Sequence, residues 1–94
     1  MAKFRKKPVE IEAYTFDEFI EIGINTAKEL VNGVPWAFDI NGYPITHCSN
    51  DLYLITTLEG NHNMTRDDIL IIGVKGEIYP CKKDIFDLTY EKVE

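Results

Sequence analysis

The sequence of 94 residues contains few cysteines and lacks long apolar runs. Its two cysteines, Cys48 and Cys81, are too few for a disulfide framework and agree with a reducing compartment. Among its longest apolar runs is residues 69–72, far below the ~20 residues that span a bilayer. No apolar segment with a small-residue cleavage site follows Met1. We therefore expect a cytoplasmic protein that does not interact with a membrane.

Sequence signatures of catalysis and of metal binding are also missing. There is no P-loop, dinucleotide-binding or nucleophile-elbow motif, and no internal repeat or low-complexity tract. The possible soft metal ligands are His47, Cys48, His62 and Cys81, and they do not have the spacing of a zinc site. A Cys–His nucleophile pair would still lack an orienting third group and an oxyanion hole. We expect no metal, no cofactor and no enzymatic activity.

Basic residues are scarce and unevenly placed. Ten Lys and Arg against sixteen Asp and Glu give a net charge of −6, and four of the basic residues lie in the first seven positions. The rest of the chain carries six basic and sixteen acidic side chains, a balance of −10. This distribution argues against broad nucleic-acid binding, which needs an extended positive surface. It permits an anion site at the basic N-terminal strip, or an acidic face that meets a basic partner.

The length and composition predict one small folded domain over residues 1–94. Hydrophobic residues make up 45% of the chain and aromatic residues 12%, which excludes an acidic disordered tail. A chain of this size buries only ~60–65% of its extended surface on folding. Association of several copies would support so small a core, and we expect a homo-oligomer.

Alternation and capping signals predict the elements of the first third of the chain. Residues 4–16 have the period-two pattern of a strand with one solvent-exposed face. Thr15 and Glu18 form a capping box at the start of a helix. The helical pattern is interrupted at Gly23 and resumes over residues 26–32, which Gly33 closes. One kinked helix or two short helices would explain this pattern.

The remaining residues predict an antiparallel meander followed by a short helix. Asn41 and Gly42 mark the turn of a hairpin, because a type I′ turn needs positive φ at both central residues. The nearly apolar segment 69–74 is typical of a central strand covered on both faces. The predicted strands are 36–40, 43–47, 51–58, 61–64, 69–74 and 77–81, and the predicted C-terminal helix is 82–90. The predicted fold class is α+β, with five to six short antiparallel strands, one or two N-terminal helices and a short C-terminal helix. A barrel-like arrangement of the strands is an alternative to an open sheet.

Both ends of the chain resemble a family of small proteins of tailed phages and prophages that carry a PGDYG-type motif. The resemblance lies in residues 4–13 (FRKKPVEIEA), 58–60 (LEG), 68–82 (DILIIGVKGEIYPCK), 84–86 (DIF) and 89–91 (TYE). Where the family has Pro-Gly-Asp before the central strand, this chain has Arg66, Asp67 and Asp68, so only the Asp is retained. The resemblance implies a phage or prophage origin and a location in the host cytoplasm. It implies no particular activity.

Basic and aromatic residues in these two end segments suggest a binding site for a phosphorylated ligand. Lys3, Arg5 and Lys7 share one side of an extended strand, and arginine binds phosphate in a bidentate manner. An aromatic ring could stack on a base. The ligand-binding residues that we predict are Arg5, Lys7, Lys75, Tyr79, Lys82 and Trp36. Alternatively, the basic residues only pair with carboxylates such as Glu10, Glu77 and Asp84.

Two main functional hypotheses follow. A third possibility is a minor structural or regulatory phage protein that binds no ligand. Small phage proteins without enzymatic motifs are frequently inhibitors of host defence, which is an argument by analogy. The first hypothesis is a binding protein that sequesters a small nucleotide-type signal of host defence. The second is an acidic inhibitor of a host protein, which mimics nucleic-acid phosphates. The acidic residues considered for this role are Asp17, Glu18, Glu21, Glu29, Asp67, Asp68, Asp84, Asp87 and Glu91.

Overall fold

The computed structural model describes residues 2–5 and 9–93 of the chain. Within them, two helices and nine strands form an α+β fold, which confirms the predicted fold class. The strands belong to three antiparallel sheets rather than to one meander of five or six strands. The sheets formed by these residues do not close, so the alternative of a barrel was wrong.

The elements follow the chain in a simple order. The strands are β1 (Glu12–Tyr14), β2 (Leu30–Val31), β3 (Val34–Pro35), β4 (Ala37–Ile40), β5 (Tyr43–Ser49), β6 (Leu52–Thr57), β7 (Gly60–Thr65), β8 (Asp68–Ile72) and β9 (Ile78–Lys82). The helices are α1 (Phe16–Thr26) and α2 (Lys83–Thr89).

The largest sheet has the order β4-β5-β6-β7. The predicted hairpin between β4 and β5 is confirmed, with φ of 51° at Asn41 and 82° at Gly42. Alternate residues of these strands point to one face, so Phe38, Ile40 and Ile45 are buried while their neighbours are exposed.

The second sheet has the order β1-β8-β9, and β8 is its central strand. The prediction of a central strand in this segment is confirmed, since Ile69, Leu70 and Ile71 are all buried. β8 and β9 form an antiparallel hairpin in which Asp68 lies opposite Lys82 and Ile72 lies opposite Ile78. β1 is shorter than the predicted strand and occupies the sheet edge.

α1 begins at the predicted capping box. The backbone N–H of Glu18 donates to Thr15 Oγ1 at 3.2 Å, and the backbone N–H of Thr15 donates to Glu18 Oε1 at 2.9 Å. The helix continues through Gly23, where an interruption was expected. The predicted second helical segment over residues 26–32 was wrong: β2 and β3 form a small hairpin there. Its turn has φ of 52° at Asn32 and 78° at Gly33, so Gly33 completes a hairpin turn instead of ending a helix.

Aromatic rings join α1 to the large sheet. The ring of Phe19 lies 5.5 Å from that of Phe38 and 5.4 Å from that of Tyr53. Gly23 allows this close packing, since a Cβ there would lie 2.6 Å from Phe38 Cε1 and 2.8 Å from Pro35 Cγ. The helix therefore fixes the position of β3 and β4, which form one side of the candidate site.

Candidate binding surface

The predicted phosphate-binding residues lie in different parts of the fold. Lys7 lies outside the described residues. Arg5 is exposed in a segment without regular structure, and Lys75 is exposed in the turn between β8 and β9. The backbone N–H of Lys75 donates to Glu77 Oε1 at 2.9 Å, an interaction that shapes this turn.

Lys75 and Lys82 lie at opposite ends of the β8–β9 hairpin. Lys75 lies beyond the pair Ile72–Ile78, whereas Lys82 belongs to the pair at the open end. The strand between Ile78 and Lys82 is ~13 Å long, at about 3.3 Å per residue. The two lysines therefore do not form one phosphate pocket.

Lys82 interacts with a buried carboxylate. Its Nζ lies 3.1 Å from Oδ1 of Asp68, whose side chain is only 4% exposed. The other carboxylate oxygen, Oδ2, accepts hydrogen bonds from the backbone N–H and the hydroxyl of Thr65, at 2.8 and 3.1 Å. Asp68 thus ties the end of β7 to β8 and β9. It is not accessible to a partner, although the sequence placed it in the acidic face.

Two other basic residues are also engaged with carboxylates. Lys83 Nζ lies 2.9 Å from Asp87 Oδ2 one turn later in α2. Arg66 pairs with Asp51 and lies 3.7 Å from Asp17, and its guanidinium stands over the ring of Phe16. These pairs neutralise basic residues, as in the expected alternative, but their carboxylates are Asp17, Asp51, Asp68 and Asp87 and not the expected Glu10, Glu77 and Asp84.

Tyr79 is half-buried on β9, apart from the other predicted aromatic residue. Burial, followed by a hydrogen bond with Tyr90, raises the pKa of Tyr79 to about 12. The side chain lines a depression of 410 Å³ together with Tyr43, His62 and Glu77. Neither Trp36 nor Lys82 lines this depression.

Trp36 stands at the outer end of an aromatic row that begins in the core. Its ring is stacked on that of His47, with centroids 4.8 Å apart and planes 5° from parallel, and the residue is 49% exposed. The imidazole of His47 meets the ring of buried Tyr53 edge-on at 5.3 Å, and its Nε2 lies 2.8 Å from Asn50 Oδ1. The Tyr53 hydroxyl donates to the carbonyl of Pro35 at 2.7 Å. One face of the Trp36 ring is therefore packed on His47, and the preceding residue, Pro35, is fixed by the hydrogen bond from Tyr53.

A cleft of 680 Å³ runs beside Trp36, between β4 and the segment that follows α1. We call it the β4 cleft. Its apolar lining includes Val31, Trp36, Phe38 and Ile45, and its charged lining consists of Lys28, Glu29 and Asp39. A volume of this size is within the usual range of ligand pockets.

The charges of the β4 cleft favour a basic or apolar occupant over a phosphate. Two carboxylates, from Glu29 and Asp39, stand against the single ammonium group of Lys28. The exposed ring of Trp36 offers a surface for an apolar side chain or for a cation. Sequence analysis assigned Trp36 to stacking on a base, and Glu29 only to an acidic face. It missed Asp39, although its alternation with Phe38 and Ile40 in the predicted hairpin placed it on the exposed side of β4.

Comparison with protein-family models, with curated proteins and with solved structures found no match to this chain. No helix within residues 2–5 and 9–93 is long and apolar enough to cross a membrane. In the same residues, no three or more His, Cys, Asp or Glu side chains are grouped so that they could hold a metal ion.

The two cysteines lie apart in the fold and are both free. Cys48 is exposed at the irregularity of β5, where the register with β6 shifts between His47 and Ser49. Cys81 is half-buried on β9, and burial, followed by the charges of Asp68 and Asp84, raises the pKa of its thiol. A raised pKa keeps the thiol protonated, which is unfavourable for a nucleophile.

Proposed function

We propose that this chain is a phage-encoded, non-catalytic protein that inhibits a basic host protein by binding to it in the host cytoplasm. The binding surface is acidic and offers carboxylates where the host protein would otherwise meet nucleic-acid phosphates. The phage origin and the role in countering host defence rest on the resemblance of the two end segments and on analogy.

The observation that carries this proposal is the excess of exposed carboxylates without an ion-pair partner among residues 2–5 and 9–93. In the described part of the chain, Arg66, Lys82 and Lys83 already form ion pairs. A set of exposed acidic residues takes no part in those pairs: Glu21, Glu29, Asp39, Asp67 and Glu91. With these carboxylates and a net charge of −6, the chain attracts a basic partner and the encounter is faster.

Capture from a bacterial lysate at two salt concentrations tests the proposal. The tagged protein is immobilised, and retained proteins are identified by mass spectrometry at low and at physiological ionic strength. We expect basic, nucleic-acid-binding proteins that are released steeply as salt rises, because exposed charges are screened. Retention of acidic proteins, or of nothing, would contradict the proposal.

A matched control separates specific binding from general charge. An unrelated folded protein of equal size and net charge should not retain the same host protein. Purified host protein should then lose its nucleic-acid binding when this chain is added. Equal inhibition by the control protein would refute a specific inhibitor.

Sequestration of a small nucleotide-type signal is the second candidate function. The size of the β4 cleft and the half-exposed Trp36 ring favour it, since a base could stack on the ring while Lys28 meets a phosphate. Glu29 and Asp39 oppose it by repelling the phosphate. The predicted residues Arg5, Lys75, Tyr79 and Lys82 do not line this cleft.

Release of bound ligand tests the second candidate. Protein purified from cells that produce the signal is denatured, and the supernatant is analysed for nucleotides by mass spectrometry. Sequestration predicts a nucleotide in stoichiometric amount and a marked thermal stabilisation by the same compound. Absence of a nucleotide, with stabilisation below about 1 kcal/mol at saturating concentration, would rule this function out.

A further inference from the structure

β4 is an edge strand with hydrogen-bonding groups on its open side. Within the described residues, β4 pairs with β5 and has no strand on its other side. In an antiparallel pair, every second residue of a strand directs its backbone groups to the neighbouring strand. Ile40, which flanks the two-residue turn opposite Tyr43, is such a residue. Trp36 is another, since its carbonyl accepts a hydrogen bond from the His47 N–H at 2.8 Å. The backbone groups of Ala37 and Asp39 therefore point away from β5. They can accept and donate bonds to an added strand.

The two faces beside this edge differ in chemistry. On the core side, Trp36 and Phe38 continue the aromatic row, and Val31 completes an apolar lining of the cleft. On the opposite face of the strand, Asp39 is exposed and lies across from Pro44, and the β4 cleft extends around the strand edge to it. An extended segment along β4 would place successive side chains on alternate faces. Apolar and basic side chains in alternation fit these two faces.

A second copy of the chain fits this edge poorly. If two β4 strands paired antiparallel about a twofold axis at Phe38, each Asp39 would lie opposite the partner's Ala37. The two Asp39 side chains would then share one face at roughly 7–8 Å. Each chain also carries a net charge of −6, which adds repulsion. The charges therefore favour a basic partner over self-association.

We infer that the open edge of β4 binds an extended segment of a partner protein, with alternating basic and apolar side chains, as an added strand. Backbone bonds to Ala37 and Asp39 hold the segment. Its apolar side chains lie against Trp36 in the β4 cleft, and its basic side chains lie beside Asp39. This inference rests on the proposed function and specifies where the basic partner is bound.

Titration with synthetic peptides tests the inference. In the test peptide, Arg and Val alternate. The first control peptide has Glu in place of each Arg. The second control peptide has the same composition as the test peptide, but all Arg residues precede all Val residues. Trp36 is the only tryptophan, so its fluorescence reports directly on the cleft. We expect a saturable change with the alternating Arg peptide and none with either control. Equal binding of the block peptide would show charge attraction alone and overturn the inference.

Backbone pairing is tested separately. Hydrogen exchange of the Ala37 and Asp39 amides should slow by about tenfold or more when the peptide is bound, because both become hydrogen-bonded. A peptide with N-methyl groups on the amides that face β4 should lose this protection together with its binding. Binding without protection of the two amides would overturn the added strand.

Peptide binding by variants of Asp39 and of Asp67 shows whether the position of the charge matters. Asp39→Asn should weaken peptide binding by about threefold and Asp39→Lys by about tenfold, as expected for an exposed pair that is lost or made repulsive. Asp67→Lys alters the net charge equally but lies outside the cleft, and it should have little effect. Equal effects of Asp39→Lys and Asp67→Lys would contradict binding at β4.

The outcomes distinguish this inference from the proposed function. If the Asp39→Lys variant binds the host protein as tightly as the Asp67→Lys variant does, the acidic inhibitor stands and the β4 edge is not its binding site. If no basic protein is captured by the wild-type chain, the function itself fails. Concentration-dependent dimers that the Arg–Val peptide dissociates would identify a second copy as the occupant and overturn the inference.

Discussion

Replacement of Gly23 by alanine tests the packing that positions β4. Gly→Ala within a helix normally stabilises a protein by about 1 kcal/mol through helix propensity. Here the added Cβ would lie 2.6 Å from Phe38 Cε1 and 2.8 Å from Pro35 Cγ. Carbon atoms pack favourably at about 3.5–4.0 Å, so α1 or β4 must move by roughly 1 Å.

The expected effect is a net loss of stability. Overpacking in a core costs about 1–3 kcal/mol, and the neighbours here include the rigid proline ring. Subtraction of the propensity gain leaves a net cost of about 0–2 kcal/mol. Because the proline ring cannot move aside, we expect Gly23→Ala to lie in the upper half of this range and to lower the free energy of unfolding by about 1–2 kcal/mol. For a domain of this size, that corresponds to a decrease in melting temperature of roughly 4–16 °C.

Thermal and urea denaturation measure this effect, with Asn25→Ala as the matched control. Asn25 is exposed in the same helix, so alanine there should leave stability unchanged or raise it slightly. A Gly23→Ala variant as stable as Asn25→Ala would refute the close approach of α1 to β4.

Four further substitutions test single side chains. Asp68→Asn should destabilise the fold by about 2 kcal/mol in urea denaturation, because charged hydrogen bonds at a buried site are lost. Lys82→Met should cost less than about 1 kcal/mol, because the Lys82 side chain is 58% exposed and Asp68 keeps its hydrogen bonds from Thr65. Equal costs of the two variants would contradict the view that Asp68 is held mainly by Thr65. Tyr53→Phe should cost about 1–3 kcal/mol, because it leaves the Pro35 carbonyl without its hydrogen-bond donor. It should also shift the fluorescence of the neighbouring Trp36. Unchanged stability and fluorescence would argue against the hydrogen bond between Tyr53 and Pro35. Folding raises the pKa of Tyr79 from 10.0 to about 12, so its stabilisation is present below pH 10 and is lost as pH rises through 12. Alkaline denaturation should therefore begin at higher pH in Tyr79→Phe, and an unaltered profile would contradict the shift.

The parts of the fold that local sequence determines could be predicted. The Asn41–Gly42 turn needs positive φ at both residues, and few other patterns meet that requirement. Thr15 and Glu18 satisfy each other's backbone groups in the capping box, so α1 begins where the pattern indicates. The apolar run in β8 likewise indicated its central place in the sheet.

Long-range packing explains where the prediction of the fold failed. A glycine in a helix suggests a break from propensity alone, but Gly23 is required by the approach of Phe38 and Pro35 from elsewhere in the chain. Asn32 and Gly33 form a second hairpin turn, although the residues before them also have a helical pattern. Tertiary contacts decided between these alternatives.

The candidate site was only partly predictable for the same reason. Trp36 could be selected as an aromatic ring able to stack on a base, but its position beside Glu29 and Asp39 depends on how α1 and the segment after it lie against β4. The prediction that Lys75 and Lys82 bind the same phosphorylated ligand assumed that residues of one motif converge. A hairpin separates them instead, since its turn and its open end lie at opposite ends of the strands.

Hydrogen exchange of the chain in complex with a captured host protein tests the central claim most directly. The account predicts new protection of the Ala37 and Asp39 amides on the open edge of β4, accompanied by a change in Trp36 fluorescence. Protection confined to other strands or to α2, with these two amides exchanging as in the free chain, would contradict it.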